Sequence, residues 1–200
     1  VDTGIKGRYI INPATGKLDW HEMTSSITTQ PRRAEIVLNL IKKHSQERVM
    51  LMAVFNTQFS LIEEVLDRAK ISYSRLYGKH NEEKNKNTRV LLAQEKKGGV
   101  GFDDDTLKVL IFLDSITDVR QKEGRIRGDV PIIYDLVDDT NVHRKHWKIR
   151  KEWYCKRMGL PEGNNDFYSV LDFTTKKSEK DIKPNGLALR KITSAKKMKF

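Results

Sequence analysis

The stretch from Thr88 to Gly128 constrains the fold more than any other part of this 200-residue sequence. It contains two short apolar runs, Val90 to Ala93 and Val109 to Leu113, and each is followed by a polar or glycine-containing segment. Short, continuous apolar runs bounded by Gly and Asp are typical of strands in a parallel sheet that is buried on both faces. Open α/β sheets bind ligands just beyond the ends of such strands, so we expect the functional residues there.

Two motifs follow these strands. The first is GGVGFD, which ends at Asp103, and the second is QKEGR, which begins at Gln121. They resemble motifs V and VI in the second RecA-like domain of superfamily 2 helicases, and the Gly-Gly-apolar-Gly form is similar to that of chromatin-remodelling motors. Their order, their spacing of about twenty residues and the strand between them carry the resemblance, which covers roughly residues 1–160. It implies an α/β fold: a RecA-like parallel sheet flanked by helices.

The resemblance also implies which residues meet a nucleotide. Glycines let the backbone approach a phosphate or ribose closely, so Gly98, Gly99 and Gly101 suit a loop in the cleft between two RecA-like domains. Of the glycines, Gly101 and Gly124 are expected at the ATP site. Asp103 would accept a hydrogen bond from the ATP ribose, and Gln121 would orient the nucleotide. On the residues alone, Asp103 to Asp105 could instead form a capped acidic turn.

Arg125 matches the first arginine of motif VI, and such an arginine stabilises the charge on the γ-phosphate in the transition state. The second arginine of the motif falls at Gly128 in strict register, and Arg127 lies one residue early. We therefore predict Arg125 first and Arg127 second as the catalytic arginine finger. The alternative is that these arginines pair with nearby carboxylates on a surface helix.

Two polar segments at predicted strand ends are expected to grip nucleic acid. One follows the strand Arg48 to Phe55 in a region that resembles motif IV, and the other follows the strand Val90 to Ala93. The predicted contacts are Asn56, Thr57, Gln58, Gln94, Lys96 and Lys97. Lysines there would position a phosphate backbone without reading its sequence. Any βαβ unit offers a polar strand end, so these residues could also only cap the next helix.

The remaining apolar periodicity predicts the other elements. Helices are expected over residues 32–43, 60–69 and 142–158, and strands over 71–77 and 130–137. Asn141 is predicted to cap the last helix. Val142, His146, Ile149 and Trp153 lie at helical spacing and are predicted to face inward. A highly polar link, Gly78 to Asn87, stands where the helicase family usually has a full helix, so it is either a helix reduced to a turn or a mobile loop.

The chain carries a formal net charge of +11 and has a pI near 9.6. This points to an anionic partner, nucleic acid before a membrane surface, although a solubilising coat of basic residues would have the same composition. Changes in composition predict a lead-in segment (residues 1–30), a RecA-like domain (31–160) and a basic C-terminal extension (161–200). Residues 176–200 contain nine Lys or Arg against two acidic residues, so this tail either binds phosphate backbones or has no specific partner.

Several classes are disfavoured by what the sequence lacks. The lone cysteine, Cys155, cannot form an intramolecular disulfide or a cysteine-based zinc site, which fits an intracellular, reducing compartment. No metal site is expected at His143 and His146, since neither has an acidic or cysteine partner at ligand spacing. No apolar run approaches the roughly twenty residues of a membrane span. If the source is a large DNA virus, as the resemblance implies, the virion, host cytoplasm or nucleus would be the location.

Taken together, the resemblance implies the C-terminal half of an ATP-dependent superfamily 2 helicase or translocase, acting on DNA rather than RNA. ATP and Mg²⁺ would be bound mainly by an N-terminal RecA-like domain of the same protein, because no Walker A loop is present here. The chain alone is therefore expected not to hydrolyse ATP. Two alternatives remain: a degenerate RecA-like module that only binds nucleic acid or a protein partner, and an unrelated flavodoxin-like domain.

Overall fold

The computed structural model describes residues 1–82, 85–98, 104–116, 119 and 132–158. In chain order the helices are α1 (Trp20–Thr28), α2 (Pro31–Lys43), α3 (Phe59–Arg68), α4 (Glu95–Gly98) and α5 (Asn141–Met158). The strands are β1 (Arg48–Ala53), β2 (Tyr73–Leu76), β3 (Val90–Gln94), β4 (Leu107–Phe112) and β5 (Ile132–Asp135). A short 3₁₀ helix, Asn56–Gln58, joins β1 to α3.

These strands form one parallel sheet in the order β2-β3-β1-β4-β5. In its centre, Leu51 of β1 lies between Leu92 of β3 and Ile111 of β4. The parallel sheet flanked by helices confirms the predicted α/β class. The flavodoxin-like alternative is wrong, because that sheet has the order 2-1-3-4-5 and places β1 beside β2, whereas here β1 pairs with β3 and β4. The predicted basic C-terminal extension lies outside the described residues.

The sheet is buried on both faces, as its apolar strands require. Alternate residues of each strand point to opposite faces, so each strand contributes to two apolar layers. One layer, which packs with residues of α2 and α3, includes Val49, Leu51, Ala53, Leu92 and Ile111. The other layer, which packs with Trp147, Trp153 and Tyr154 of α5, includes Met50, Met52, Leu91, Leu110 and Phe112. This burial on both faces explains the continuous apolar runs in the sequence.

Helices α2 and α3 agree with their predicted spans to within one residue at each end. Pro31 occupies the first turn of α2, where its missing N–H would have no intrahelical partner anyway. The buried hydrophobic stripe of α2 comprises Ala34, Ile36, Val37, Leu40 and Ile41. In α3 the buried residues are Phe59, Ile62, Val65 and Leu66, whereas Leu61 is only partly buried.

The first thirty residues pack on the sheet. Asp2 forms a parallel bridge with Val137 just beyond β5, and Ile5 is buried in the core. Asp19 caps α1 by accepting a hydrogen bond from the Glu22 N–H at 3.0 Å. Met23 is fully buried on the inner side of α1. The lead-in segment thus contains a helix, and the division of the chain at residues 30 and 160 stays a prediction.

The link between β2 and β3 contains no helix in its described residues, 77–82 and 85–89. It folds back along β2, because the backbone N–H of Glu82 donates to Arg75 O at 2.8 Å and the Arg75 N–H donates to Glu82 Oε2 at 2.9 Å. Of the two alternatives for this link, the helix reduced to a turn is the one observed. It is long enough to bring the neighbouring parallel strands into register, with Ser74 beside Leu91.

Gly98 corrects one prediction. The sequence suggested that it begins a phosphate-binding loop, but it ends α4 and is buried against the sheet. A Cβ at this position would lie 2.6 Å from Met50 Cε and 3.0 Å from Ala93 Cβ. A side chain here would have to displace the end of Met50 and press on Ala93, so glycine favours the close approach of α4 to β1 and β3.

Two further predictions, both about helix α5, were wrong. Its cap is Thr140 rather than Asn141, since Thr140 Oγ1 accepts a hydrogen bond from the His143 N–H at 3.1 Å. Its inward face was also misplaced, because Ile149 is 50% exposed whereas Arg150 is 1% exposed. Apolar periodicity counts an arginine as outward, and only its partner on the sheet reverses that assignment.

Candidate functional site at the carboxyl edge of the sheet

The carboxyl ends of the parallel strands bring several predicted residues to one edge of the sheet. The 3₁₀ helix Asn56–Gln58 follows β1, Gly78 follows β2, Gln94 ends β3, and Asp114 follows β4. In open α/β sheets this edge is where ligands bind. We refer to it below as the carboxyl edge.

Asp114 organises the centre of this edge. Its carboxylate accepts hydrogen bonds from the Val54 N–H and from Gln58 Nε2, both at 2.5 Å, and so ties the end of β4 to the end of β1. Burial raises the pKa of Asp114, and these donors together with the nearby Arg33 oppose that rise. Sequence reasoning missed this residue, although an Asp directly after an apolar strand was a signal that could have found it.

Arg33 holds the neighbouring strand ends together. Its guanidinium donates to the Leu113 carbonyl and to both carboxylate oxygens of Asp138, at 3.3 and 3.2 Å. Thr3 Oγ1 also donates to Asp138, at 2.6 Å. The first residues of the chain, the start of α2 and the ends of β4 and β5 are therefore fixed to one another by buried polar contacts.

The three predicted residues after β1 differ in exposure. Thr57 is exposed, Asn56 is half-buried, and Gln58 is only 3% exposed. A Cβ on Gly78 would lie 4.0 Å from Asn56 Nδ2, so the ends of β1 and β2 are in contact. Within the described part of the chain, Asn56 Oδ1 and Gln58 Oε1 are buried without a hydrogen-bond partner. Gln58 holds the turn through Asp114, and the binding of nucleic acid by all three residues stays a prediction.

The predicted residues after β3 lie beside this turn. Gln94 Nε2 donates to the Val54 carbonyl at 3.4 Å, which joins the end of β3 to the end of β1. Lys97 Nζ donates to the His80 carbonyl at 3.1 Å and to Asn81 Oδ1 at 2.7 Å, so it reaches the loop after β2. Lys96 is exposed. The structure thus brings both predicted nucleic-acid segments together at one edge.

The six residues predicted to act on the nucleotide lie outside the described residues. They are Gly101, Asp103, Gln121, Gly124, Arg125 and Arg127. Their roles stay predictions. In the sequence the last four follow β4, whose carboxyl end continues through Asp114 and Ser115 to Ile116.

The sequence left open that Asp103 to Asp105 form a capped acidic turn, and Asp104 agrees with that structural alternative. It lies before β4, at the opposite edge, where its side chain accepts hydrogen bonds from the Thr106 N–H at 3.0 Å and from Arg48. Burial acts to raise the pKa of Asp104, but the hydrogen bonds from Thr106 and Arg48 outweigh it and lower that pKa overall. This carboxylate therefore stabilises the fold at the amino ends of β1 and β4.

A buried ion pair anchors α5 to the carboxyl edge. Arg150 donates to both oxygens of Asp135, at 2.5 and 2.8 Å, and its Nη1 donates to the Ile116 carbonyl at 2.7 Å. Ser115 Oγ also lies 3.1 Å from His146 Nδ1. The helix is thus bonded to the residues on either side of the segment that contains Gln121 to Arg127.

His143 lies in the first turn of α5 and is 2% exposed. Its ring stacks on Trp20 with the centroids 5.4 Å apart, and its Nδ1 is 2.5 Å from Thr140 Oγ1. Burial lowers the pKa of His143 from 6.5 to about 4. The folded chain therefore holds this imidazole neutral at a pH where the unfolded chain would protonate it.

The free energy of unfolding is expected to fall as the pH drops from about 6.5 to about 4. Over this range the unfolded state binds a proton at His143 and the folded state does not. A pKa difference of this size corresponds to about 3 kcal/mol of unfolding free energy. Above pH 6.5 this contribution is fully present. Urea unfolding across this range should show a smaller loss in His143→Gln than in the original chain, and exposed His80→Gln should leave the loss unchanged. Equal pH dependence in all three proteins would contradict the assignment.

Two further class features concern the described residues. No helix there is long and apolar enough to span a bilayer. No group of three or more His, Cys, Asp or Glu side chains in that part of the chain is arranged to hold a metal ion.

The sequence of the chain is similar to those of several viral proteins. No protein-family model matches the chain. It is 29% identical to "Putative helicase 161L" of Invertebrate iridescent virus 6 over 80% of the chain and 41% of that protein. It is 41% identical to "Uncharacterized protein 108L" of Invertebrate iridescent virus 3 over 36% of the chain and 72% of that protein. It is 24% identical to "Putative helicase 055L" of Frog virus 3 over 77% of the chain and 36% of that protein.

Solved structures share the fold at lower sequence identity. The C-terminal part of the Fun30 ATPase domain has a TM-score of 0.53 at 16% identity, over 64% of this chain and 50% of that one. T4 UvsW has a TM-score of 0.57 at 18% identity, over 71% of this chain and 36% of that one. The C-terminal domain of S. cerevisiae Dbp5 has a TM-score of 0.50 at 15% identity, over 65% of this chain and 80% of that one.

The fold defines the class: this is a RecA-like α/β domain with the fold of the C-terminal part of the Fun30 ATPase domain and of the C-terminal domain of Dbp5. The chain belongs to an iridovirus family that includes protein 108L and is related to viral proteins named helicases. This confirms the resemblance to superfamily 2 helicases found in the motifs. The chain spans less than half the length of the two helicase-named relatives.

Proposed function

We propose that this chain is the C-terminal half of an ATP-dependent superfamily 2 DNA helicase or translocase. It would supply the motif IV, V and VI segments to an ATP site that it shares with an N-terminal RecA-like domain. That other domain would hold most of the ATP and the Mg²⁺, so the chain alone is expected to be inactive as an ATPase. The helicase names of its viral relatives support this proposal, and so does the carboxyl edge described above.

The observation that carries the proposal is the convergence of three strand ends. Lys97 reaches from β3 to His80 and Asn81 after β2, and Gln94 reaches from β3 to Val54 after β1. Amide and ammonium donors are thus gathered on one edge, where a phosphate backbone can accept hydrogen bonds from them. A contact of this kind grips a strand without reading its sequence, which is what a translocating motor requires.

Arg125, with Arg127 as the second candidate, would reach across to the γ-phosphate of ATP in the other domain. The support is the match to motif VI and the attachment of this segment directly after β4 at the carboxyl edge. Asp114 and Gln58 would connect the two halves of the site. Their hydrogen bond joins the end of β4, which precedes this segment in the chain, to the predicted nucleic-acid turn. Closure of the ATP cleft would then shift the residues that bind nucleic acid.

Two observations favour a second candidate function. The link between β2 and β3 lacks a helix in its described residues, and the second motif VI arginine is displaced by one position. A RecA-like module that has lost catalysis could tolerate both departures. It would bind nucleic acid or a protein partner without supporting ATP hydrolysis.

The nucleic-acid grip is tested by removing its two lysine charges. Lys96→Gln/Lys97→Gln in the 200-residue chain is expected to weaken binding to single-stranded oligonucleotides. The slope of log affinity against log salt should become shallower by about 0.7 for each phosphate that the variant no longer neutralises. Fluorescence anisotropy across a salt series, with single-stranded DNA, duplex DNA and RNA, measures both quantities.

The matched control for this test is Lys42→Gln/Lys43→Gln, which removes the same charge at the end of α2 near the opposite edge. The measurements should be repeated on residues 1–175, so that the basic tail does not mask the difference. If the two double variants weaken binding equally, net charge alone explains the affinity, and the proposed grip is wrong.

A further inference from the structure

A β-hairpin near the start of the chain contacts the start of α5 through Tyr9. Ile11 and Leu18 form an antiparallel bridge, and the Asp19 N–H donates to the Ile10 carbonyl at 2.7 Å. Asn12 Oδ1 closes the turn by accepting hydrogen bonds from two backbone N–H groups, and Gly16 occupies it with φ of +64°. A positive φ of this kind favours glycine, so the glycine at this position in the sequence favours the turn.

This hairpin exposes two large apolar side chains. Tyr9 is 52% exposed and Ile11 is 55% exposed, although most hydrophobic side chains in the described residues are packed in the core. The tyrosine is also oriented, because its hydroxyl accepts a hydrogen bond from the Asn141 N–H at 2.8 Å. One end of the ring is thereby fixed to the start of α5 while much of its surface meets solvent.

The charge around these side chains is positive. Lys6, Arg8 and Lys17 are exposed, and residues 3–18 contain no carboxylate. Within the described part of the chain, none of the three side chains forms an ion pair or a hydrogen bond. The nearest carboxylates in sequence are engaged elsewhere, since Asp2 faces Arg144 and Asp19 caps α1. The hairpin therefore combines an exposed aromatic ring with three unpaired cations that are close to it in the sequence.

The hairpin also leads directly to the predicted nucleic-acid turn. Its second strand continues into α1, where the His21 ring lies edge-on to Phe55 with the centroids 5.2 Å apart. Phe55 is the residue before Asn56. A nucleic-acid strand that meets Asn56 and Thr57 could therefore continue along α1 toward Tyr9.

We propose that this hairpin surface, made of Lys6, Arg8, Tyr9, Ile11 and Lys17, binds single-stranded nucleic acid. A base stacks on the exposed ring of Tyr9, and the cations contact the adjacent phosphates. Aromatic side chains within a cationic groove are how sequence-tolerant single-strand binding is commonly achieved. The inference rests on the proposed function, since it extends the grip at the carboxyl edge by a second contact.

The test compares Tyr9→Ala with Tyr9→Phe in the whole chain. Phenylalanine keeps the stacking ring but removes the hydroxyl that bonds to Asn141. We expect Tyr9→Ala to weaken binding to a single-stranded oligonucleotide by about fivefold or more, because removal of a stacking ring costs that much in other single-strand binders. Tyr9→Phe should bind like the original chain. Photocrosslinking of a bromouracil-containing oligonucleotide, followed by peptide mapping, should place a crosslink at Tyr9.

Ile149→Ala is the control for removal of an exposed apolar side chain, since Ile149 is 50% exposed on α5. Normal binding by Tyr9→Ala would overturn the inference. So would an equal reduction of affinity in Tyr9→Phe, because the hydroxyl would then matter only for the structure of α5. If Lys96→Gln/Lys97→Gln loses affinity while Tyr9→Ala does not, the grip at the carboxyl edge stands and only the hairpin contact fails. If the chain binds no nucleic acid at low salt, both proposals fail.

Discussion

Replacing Arg125 with alanine in a protein that carries both RecA-like domains is expected to reduce ATP hydrolysis by about three orders of magnitude. Binding of nucleic acid should change little. An arginine finger stabilises the charge that spreads over the γ-phosphate oxygens in the transition state, and its removal typically lowers the rate by about 10³ to 10⁵. Steady-state turnover with saturating DNA, measured beside DNA affinity, separates this effect from a failure to bind.

Arg127→Ala is the companion variant, because Arg127 stands one residue before the second motif VI position. A large reduction of turnover in Arg127→Ala with little change in Arg125→Ala would move the finger to Arg127. Arg144→Ala serves as the control, since Arg144 is an exposed arginine that pairs with Asp139. If neither Arg125 nor Arg127 affects turnover, the motor proposal loses its main catalytic support and the binding-module alternative is favoured.

Replacing Arg150 with methionine is expected to lower the free energy of unfolding by about 3 to 5 kcal/mol. The Asp135 carboxylate would be left buried without its bidentate partner, and removing one member of a buried ion pair typically costs this much. The Ile116 carbonyl would also lose a hydrogen bond. Urea unfolding, followed by tryptophan fluorescence and far-UV circular dichroism, measures the change.

Two variants make this second prediction specific. Arg144→Met removes an exposed ion pair on the same helix and should cost less than about 1 kcal/mol. Arg150→Met combined with Asp135→Leu removes both buried charges and should recover much of the stability, because no unpaired carboxylate remains. A destabilisation in Arg150→Met no greater than that in Arg144→Met would show that the buried pair does not anchor α5.

The anchoring of α5 bears on function through its position. Arg150 contacts Ser115 and Ile116, which follow β4, and Asp135, which ends β5. Those residues stand before and after the segment that contains Arg125. A loosened α5 would therefore be expected to affect turnover as well as stability, which separates it from variants that only alter the grip on nucleic acid.

Much of the fold was predictable because its strands are buried on both faces. The runs Arg48 to Ala53, Val90 to Ala93 and Val109 to Phe112 are buried throughout, and a parallel sheet covered by helices buries such runs completely. The helix α2 was equally visible, since proline and apolar spacing act locally along the chain. The family followed from the order and spacing of the motifs rather than from any single residue.

The candidate site was predictable only in part. Sequence reasoning placed Asn56 to Gln58 and Gln94 to Lys97 at strand ends, and their proximity follows from the parallel sheet. It did not find Asp114, Arg33 or Arg150, whose roles depend on partners that are 56, 80 and 15 residues away in the chain. It also assigned the wrong inward face to α5, because a buried arginine is invisible to apolar periodicity.

By itself, then, the sequence determined most of the secondary structure, the parallel class of the sheet and the edge at which ligands are expected. These follow from local backbone preferences and from the need to bury apolar runs. Only the tertiary structure decided which polar residues are structural and which face solvent. Burial of a charge is favourable only when a partner is present, and partners such as Asp135 for Arg150 are brought together by the fold. The exposed Tyr9 hairpin beside the carboxyl edge is likewise a consequence of packing.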